Sequence, residues 1–142
     1  MQNLRQGGFL ISKIHQLSGR IFARMLRNHQ ININPAQGRI LFVLWMEDNI
    51  TIHDLAFRTG LGKSTLTRML DRMQASGLVV KRNSPDDRRI ILIGLGEENV
   101  KLKASYQQVS LEMSDLFYRG FSSEEIGTFE SHLERILKNL PD

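Results

Sequence analysis

The chain has 142 residues, a net charge of +4 and no cysteine, and this length predicts a single domain over residues 1–142. The absence of cysteine excludes disulfides, thiolate metal ligands, a cysteine nucleophile and redox sensing through a thiol. No uncharged apolar run approaches the roughly 20 residues that span a bilayer. The first residues also lack the apolar region of a signal peptide, so we expect a cytoplasmic protein.

Positive charge is concentrated in the first two thirds of the chain. Residues 1–50 and residues 51–94 each carry a net charge of +4, whereas residues 95–142 carry −4. A basic region of this kind suits a polyanionic partner such as nucleic acid. Charge alone does not decide between that interpretation and a chance imbalance on a solvated surface.

Two helices are predicted in the first third of the chain. The first is predicted over residues 9–29, because apolar residues recur there at intervals of three and four: Leu10, Ile14, Leu17, Ile21 and Met25. The second begins after Asn34, which can cap it, with Pro35 in the first position and Gln37 completing a capping box. The unbroken apolar run from Ile40 to Met46 predicts that this second helix is buried on nearly all sides.

A helix-turn-helix is predicted next. Thr51 with Asp54 can cap a short third helix that Gly60 ends. The fourth helix is predicted over residues 63–76, and glycine permits the backbone angles of the tight turn before it. Apolar residues form the inner face of the fourth helix: Leu66, Leu70 and Met73.

The outer face of the fourth helix carries cations and hydroxyl groups. The N-terminal end of a recognition helix enters the major groove. There, arginine can read guanine and serine or threonine can contact several bases or phosphates. An ordinary amphipathic helix with a solvated face would show the same pattern, and the basic hairpin that follows favours DNA binding. The candidate DNA-binding residues are Lys63, Ser64, Thr65, Thr67, Arg68 and Arg72.

The last part of the chain predicts a hairpin and two helices. Strands over residues 78–82 and 89–93 flank a polar, turn-forming stretch with a basic tip. The fifth helix is predicted over residues 97–118, with Gly96 as its N-cap. A further helix begins at Ser122 and ends before Pro141, with Glu125 in the capping-box position. The fold is therefore expected to be mainly α with a small β wing.

The stretch from Leu78 to Leu95 contains the sequence Asp-Arg-Arg at Asp87, Arg88 and Arg89. In this signature and in the helix-turn-helix before it, the sequence resembles the MarR family of winged helix-turn-helix regulators, and the stretch is similar to the family's wing. The resemblance extends over nearly the whole chain. It implies a winged helix-turn-helix core at about residues 34–95, flanked by N- and C-terminal dimerisation helices at about residues 9–29 and 97–140.

The resemblance also implies roles for the signature residues. One wing arginine would enter the minor groove, and the wing aspartate would brace the wing through a salt bridge. Arg88 is the first choice for the groove, and Asp87 with Arg89 for the brace. The resemblance leaves open an exchange of roles between the two arginines.

The implied function is a homodimeric repressor that binds a palindromic operator in double-stranded DNA and is released by a small-molecule effector. Two alternatives stay open: a DNA-binding regulator that needs no ligand, and a winged-helix module that binds protein instead of DNA. Aromatic residues at helical spacing are most often plain core. Three residues are nevertheless candidates for lining an effector pocket, namely Phe42, Trp45 and Met46.

The sequence predicts no enzyme, no cofactor and no metal site. Residues 62–65 read Gly-Lys-Ser-Thr, but position 57 is Phe where a phosphate-binding loop needs glycine. No nucleophile with a base, and no pair of carboxylates, can be argued from spacing. The histidines show no metal-ligand motif and stand far apart, at His15, His29, His53 and His132.

Overall fold

The computed structural model describes residues 4–141, so residues 1–3 and 142 of the predicted domain lie outside the described residues. The predicted fold class, mainly α with a small β wing, is confirmed. None of the helices in this part of the chain is long and apolar enough to cross a membrane. The elements are, in order, α1 (Gly7–Asn28), α2 (Pro35–Met46), β1 (Ile50–Thr51), α3 (Ile52–Thr59), α4 (Lys63–Ala75), β2 (Val79–Asn83), β3 (Ile91–Leu95), α5 (Asn99–Phe117) and α6 (Ser123–Asn139).

Local hydrogen bonds fix the beginnings of three helices as predicted. The Asn34 side chain accepts from the Gln37 amide at 2.8 Å, and the Gln37 side chain accepts from the Asn34 amide at 2.9 Å. Ser122 and Glu125 form the same reciprocal pair at the start of α6. At α3, Thr51 accepts from the backbone of residue 54 at 3.1 Å. Each bond satisfies a backbone N–H group that the helix leaves free.

The wing is part of a three-stranded antiparallel sheet with the order β1-β3-β2. β1, in which Ile50 pairs with Ile93, is only two residues long and gave no alternating pattern to predict. The return strand runs over Ile91–Leu95 and not over residues 89–93. The reason is a turn before it, in which the Ile90 amide donates to the Asp87 carbonyl at 3.0 Å.

The fifth helix begins two residues later than predicted, at Asn99, and Glu98 occupies the N-cap position. The prediction that Gly96 caps this helix is wrong. The Gly96 amide donates to the Leu78 carbonyl at 2.8 Å, so this glycine continues the pairing of the sheet instead of opening the helix.

Two hydrophobic clusters form the core. The larger joins α2, α3, α4 and the sheet, and Leu55, Leu66 and Leu70 are fully buried in it. The smaller joins α1 to α5 and contains Leu26, Ile31, Tyr106 and Val109. Some partly buried residues pack against both clusters and therefore connect the helix-turn-helix to the outer helices: Ile33, Trp45 and Leu102.

Large apolar side chains remain exposed on α1, α2 and α6. No residue of α6 is buried, and on α1 only Leu26 is. The prediction that α2 is buried on nearly all sides is wrong at two positions, since Phe42 is 55% exposed and Met46 66% exposed. Both residues face a cleft between helices and not the core. The apolar stripes at the two ends of the chain include Leu10, Ile14, Leu17, Ile136, Leu137 and Leu140.

Candidate nucleic-acid interface

The turn between α3 and α4 is built from short-range contacts. Gly60 adopts the left-handed conformation with φ of 74°, which a residue with a side chain rarely adopts. The Thr59 hydroxyl donates to the Leu55 carbonyl at 2.6 Å and accepts from the Leu61 amide at 3.3 Å. Leu66, Leu70 and Met73 then seat α4 on the core, which leaves the opposite face of α4 to solvent.

The outer face of α4 is placed as the sequence predicted, since every candidate residue on it is exposed. Thr67 donates its hydroxyl proton to the Lys63 carbonyl at 2.8 Å, so its hydroxyl is an acceptor towards solvent. None of the three cations on this face forms an ion pair within residues 4–141. The exposed candidates are Lys63, Ser64, Thr65, Thr67, Arg68 and Arg72.

A contact between α4 and the wing was not predicted from the sequence. Lys81 on β2 donates to Asp71 on α4 at 2.6 Å. The pair neutralises the one acid on α4 and ties the first wing strand to the recognition-type helix. No sequence signal marks it, because the two residues lie on different elements and meet only when the chain turns at residue 77. Arg82, exposed beside Lys81 on β2, was also missed.

The tip of the wing separates the two signature arginines. Asp87 accepts from Arg89 with both carboxylate oxygens, and the Arg89 side chain is 91% exposed. The side-chain and backbone hydrogen bonds from Arg89 hold the pKa of the Asp87 carboxyl below its usual value. Asn83 donates to the Arg88 carbonyl at 2.6 Å, while the exposed Arg88 side chain forms no ion pair within the described residues.

The predicted pocket residues share one cleft of about 450 Å³ between α2 and α5, termed here the α2–α5 cleft. The Trp45 and Tyr106 rings meet at 5.4 Å between centroids. The Lys103 ammonium lies 6.0 Å from the centre of the Trp45 ring, within the range of a cation–π contact. The cleft thus combines aromatic walls with one cation, and its main lining residues are Phe42, Trp45, Met46, Lys103, Tyr106 and Leu111.

The inner edge of Trp45 is held by a residue that the sequence did not single out. The indole Nε1 donates to Asn99 Oδ1 at 2.9 Å. The Asn99 side-chain amide donates in turn to the Gly96 carbonyl. Asn99 is buried. Asn99 lies 54 positions after Trp45 in the sequence, which explains why no local pattern revealed the contact.

A second cleft, of about 400 Å³, lies between α1, α2 and α5 and shares Phe42 and Tyr106 with the first. Arg39 lines it and also donates to the Thr59 carbonyl at 3.4 Å. Burial raises the pKa of the Tyr106 hydroxyl, while a hydrogen bond with Ser110 and the charge of Arg39 act against that shift. Among the described residues, no group of three metal-ligating side chains occurs.

Comparison with known proteins agrees with this architecture. Residues 33–91 match the model of the MarR family. The chain is 31% identical over 111 residues to the organic hydroperoxide resistance transcriptional regulator of Bacillus subtilis. That alignment covers 78% of this chain and 74% of the relative.

Two solved structures extend the comparison to the whole fold. A mutant MarR from Escherichia coli in complex with operator DNA superposes with a TM-score of 0.80 at 26% identity and covers 92% of each chain. The regulator BldR from Sulfolobus solfataricus superposes with a TM-score of 0.84 at 21% identity, covering 95% of this chain and 94% of that one. The wing, the helix-turn-helix and these relatives lead to one conclusion: the chain belongs to the MarR family of DNA-binding transcriptional regulators.

Proposed function

We propose that the protein is a repressor that binds a palindromic operator as a homodimer and that a small molecule releases it. The observation that carries the proposal is the set of exposed cations on α4 and at the wing tip that form no ion pair within the described residues, namely Lys63, Arg68, Arg72 and Arg88. The Lys81–Asp71 ion pair joins the wing to α4, and in the proposal both elements contact the same DNA. Such cations attract the phosphate backbone and position the protein on the duplex.

The residues of this surface take different roles in the proposal. Arg68 and Ser64 lie opposite the buried Leu66 and Leu70 and reach base edges in the major groove. The first residue of α4, Lys63, contacts phosphate. Flanking residues add contacts to bases or phosphates: Thr65, Thr67 and Arg72.

The wing completes the proposed DNA contact. Arg88 enters the minor groove, since its guanidinium group forms no ion pair within the described residues. Asp87 and Arg89 brace the tip through their two side-chain hydrogen bonds. The geometry therefore supports one of the two assignments that the family resemblance left open.

The exposed apolar stripes of α1 and α6 support the proposed homodimer. Contiguous apolar surface is costly in water and marks interaction sites in soluble proteins. A twofold partner would bury both stripes at once. Two symmetric recognition helices would then enter successive major grooves, so the operator half-sites should lie about one helical turn apart.

The proposed effector is an aromatic carboxylate that binds in the α2–α5 cleft. Its ring would stack on Trp45 and Tyr106, and its carboxylate would pair with Lys103. The name of the Bacillus subtilis relative refers to organic hydroperoxide resistance. The present chain has no cysteine, so it has no thiol with which to sense a peroxide.

Selection of bound sequences from random DNA with the purified full chain tests the function. We expect a near-palindrome whose retardation decreases when benzoate or phenylacetate is added. Retardation that neither acid changes would favour a regulator without this class of ligand. If the protein retards neither selected nor random DNA, the proposal is wrong, and the result would favour the winged-helix module that binds protein.

A further inference from the structure

Asn99 is one of two buried polar residues in the described part of the chain, the other being Thr59. Buried polar groups need partners, and the partners of Asn99 lie on two different elements. Its side-chain oxygen accepts from Trp45, and its side-chain amide donates to the Gly96 carbonyl. Asn99 does not cap α5, because Glu98 holds that position without a side-chain cap bond.

The Gly96 end of this connection reaches the DNA-reading elements. The Gly96 amide donates to the Leu78 carbonyl at 2.8 Å, and the Glu98 amide donates to the Gly77 carbonyl at 3.1 Å. Any side chain on Gly96 would collide with the Gly77 carbonyl. Gly96 is thus held against two of the three residues between the end of α4 and the start of β2.

The Trp45 end of the connection forms the wall of the α2–α5 cleft. Trp45 lies on α2, while Asn99 is the first residue of α5, one helical turn before Lys103. Their hydrogen bond therefore joins the two helices that border the cleft. A ligand that stacks on the Trp45 ring from the cleft therefore contacts one partner of this hydrogen bond.

We propose that Trp45, Asn99 and Gly96 form a relay that couples the α2–α5 cleft to the junction between the recognition helix and the wing. The proposal rests on the proposed DNA-binding function. Asn99 is a positioning residue in it and contacts neither ligand nor DNA. Because coupling between two sites is reciprocal, DNA binding at α4 and the wing changes the surroundings of the Trp45 indole.

The single tryptophan of the chain makes the relay measurable. When the protein is excited at wavelengths that tryptophan absorbs and tyrosine does not, its intrinsic fluorescence reports on Trp45 alone. It is recorded while a duplex selected from random DNA is added, and binding is followed separately by the anisotropy of the labelled duplex. We expect the emission of Trp45 to change in step with binding. A duplex of scrambled sequence controls for absorption by the DNA.

Three variants test whether Asn99 carries the response. Asn99→Leu removes both bonds, so the emission of Trp45 should no longer change when the variant binds the duplex. Asn99→Asp keeps the acceptor for Trp45 and loses the amide donor to Gly96, so its emission should change less than that of the unmodified protein. This variant serves as the test if Asn99→Leu does not fold. Gln108→Ala alters an exposed residue of α5 that does not line the cleft and should respond like the unmodified protein.

The outcomes distinguish failure of the relay from failure of the proposed function. If selection with the unmodified protein yields no duplex that it binds, the proposed function fails. If it binds the duplex and the emission of Trp45 stays constant, only the relay is overturned. A full response in Asn99→Leu would likewise overturn it.

Discussion

Asp87 holds Arg89 through both oxygens of its carboxylate: Oδ1 accepts from Nε at 3.1 Å and Oδ2 accepts from Nη2 at 3.1 Å. Oδ1 also accepts from the Arg89 backbone amide at 3.0 Å. This pair fixes the turn at the wing tip and leaves the adjacent Arg88 side chain to solvent. The two arginines should therefore respond differently to substitution.

Arg88→Ala should weaken operator binding by roughly 1–3 kcal/mol, the usual cost of losing a groove contact. The fold should survive because Arg88 is exposed at a turn. Arg89→Ala removes the brace instead, and we expect it to lower affinity through disorder of the tip. Quantitative retardation at physiological salt measures the first effect, and amide hydrogen exchange in residues 84–90 measures the second. Unchanged affinity in Arg88→Ala would remove Arg88 from the interface.

The recognition helix should separate base reading from phosphate contact. Arg68→Ala should relax base preference at one operator position, because arginine recognises guanine through two hydrogen bonds. Lys63→Ala should weaken all sequences alike and flatten the dependence of log affinity on log salt by about one unit. Selection from random DNA with each variant checks the first effect, and salt titration checks the second. Equal loss on all sequences in Arg68→Ala would contradict the assignment.

The exposed stripe of α1 should hold the dimer together. Ile14 and Leu17 are 42% and 45% exposed in the single chain, and a charge there cannot be buried without large cost. Leu17→Glu should therefore shift the protein towards a monomer in sedimentation at micromolar concentration. Ser12→Glu adds the same charge at an exposed position on the opposite side of the same helix, and as the matched control it should leave the dimer intact. If the unmodified protein sediments only as a species of 16.3 kDa, the mass of one chain, the dimer is excluded.

Tyr118 should titrate far above an ordinary tyrosine. Its hydroxyl donates to Glu130 Oε2 at 2.7 Å, and desolvation, with the hydrogen bond and charge of Glu130, raises the pKa of Tyr118 to about 12. The stabilisation that this shift represents is fully present below the ordinary pKa of 10.0. It is lost as the pH rises through the folded value, because the unfolded chain releases this proton first.

Tyrosinate absorbance in a Tyr106→Phe variant isolates this titration, since the chain has two tyrosines. Glu130→Gln removes the charge and should lower the pKa of Tyr118 towards its ordinary value. An ordinary pKa in the Tyr106→Phe variant would mean that the Tyr118–Glu130 contact does not form in solution.

The sequence by itself determined the parts of this protein that depend on neighbours along the chain. Helix caps at Asn34, Thr51 and Ser122 join residues three positions apart, and the inner stripe of α4 repeats within two turns of one helix. Composition and turn residues predicted the wing, whereas the Asp87–Arg89 brace within it was implied by the family resemblance. The caps, the stripe and the wing follow from local geometry, so a pattern of residue types is enough to reveal them.

Only the tertiary structure decided which distant residues meet. The pairing of β1 with β3, the Lys81–Asp71 contact and the bond from Trp45 to Asn99 join segments that no periodicity relates. Only the tertiary structure showed that Phe42 and Met46 are exposed, because an apolar run has the same sequence pattern whether it faces a core or a cleft. Such contacts depend on how α2, α5 and the sheet are arranged relative to one another, and the sequence pattern within one element does not determine that arrangement.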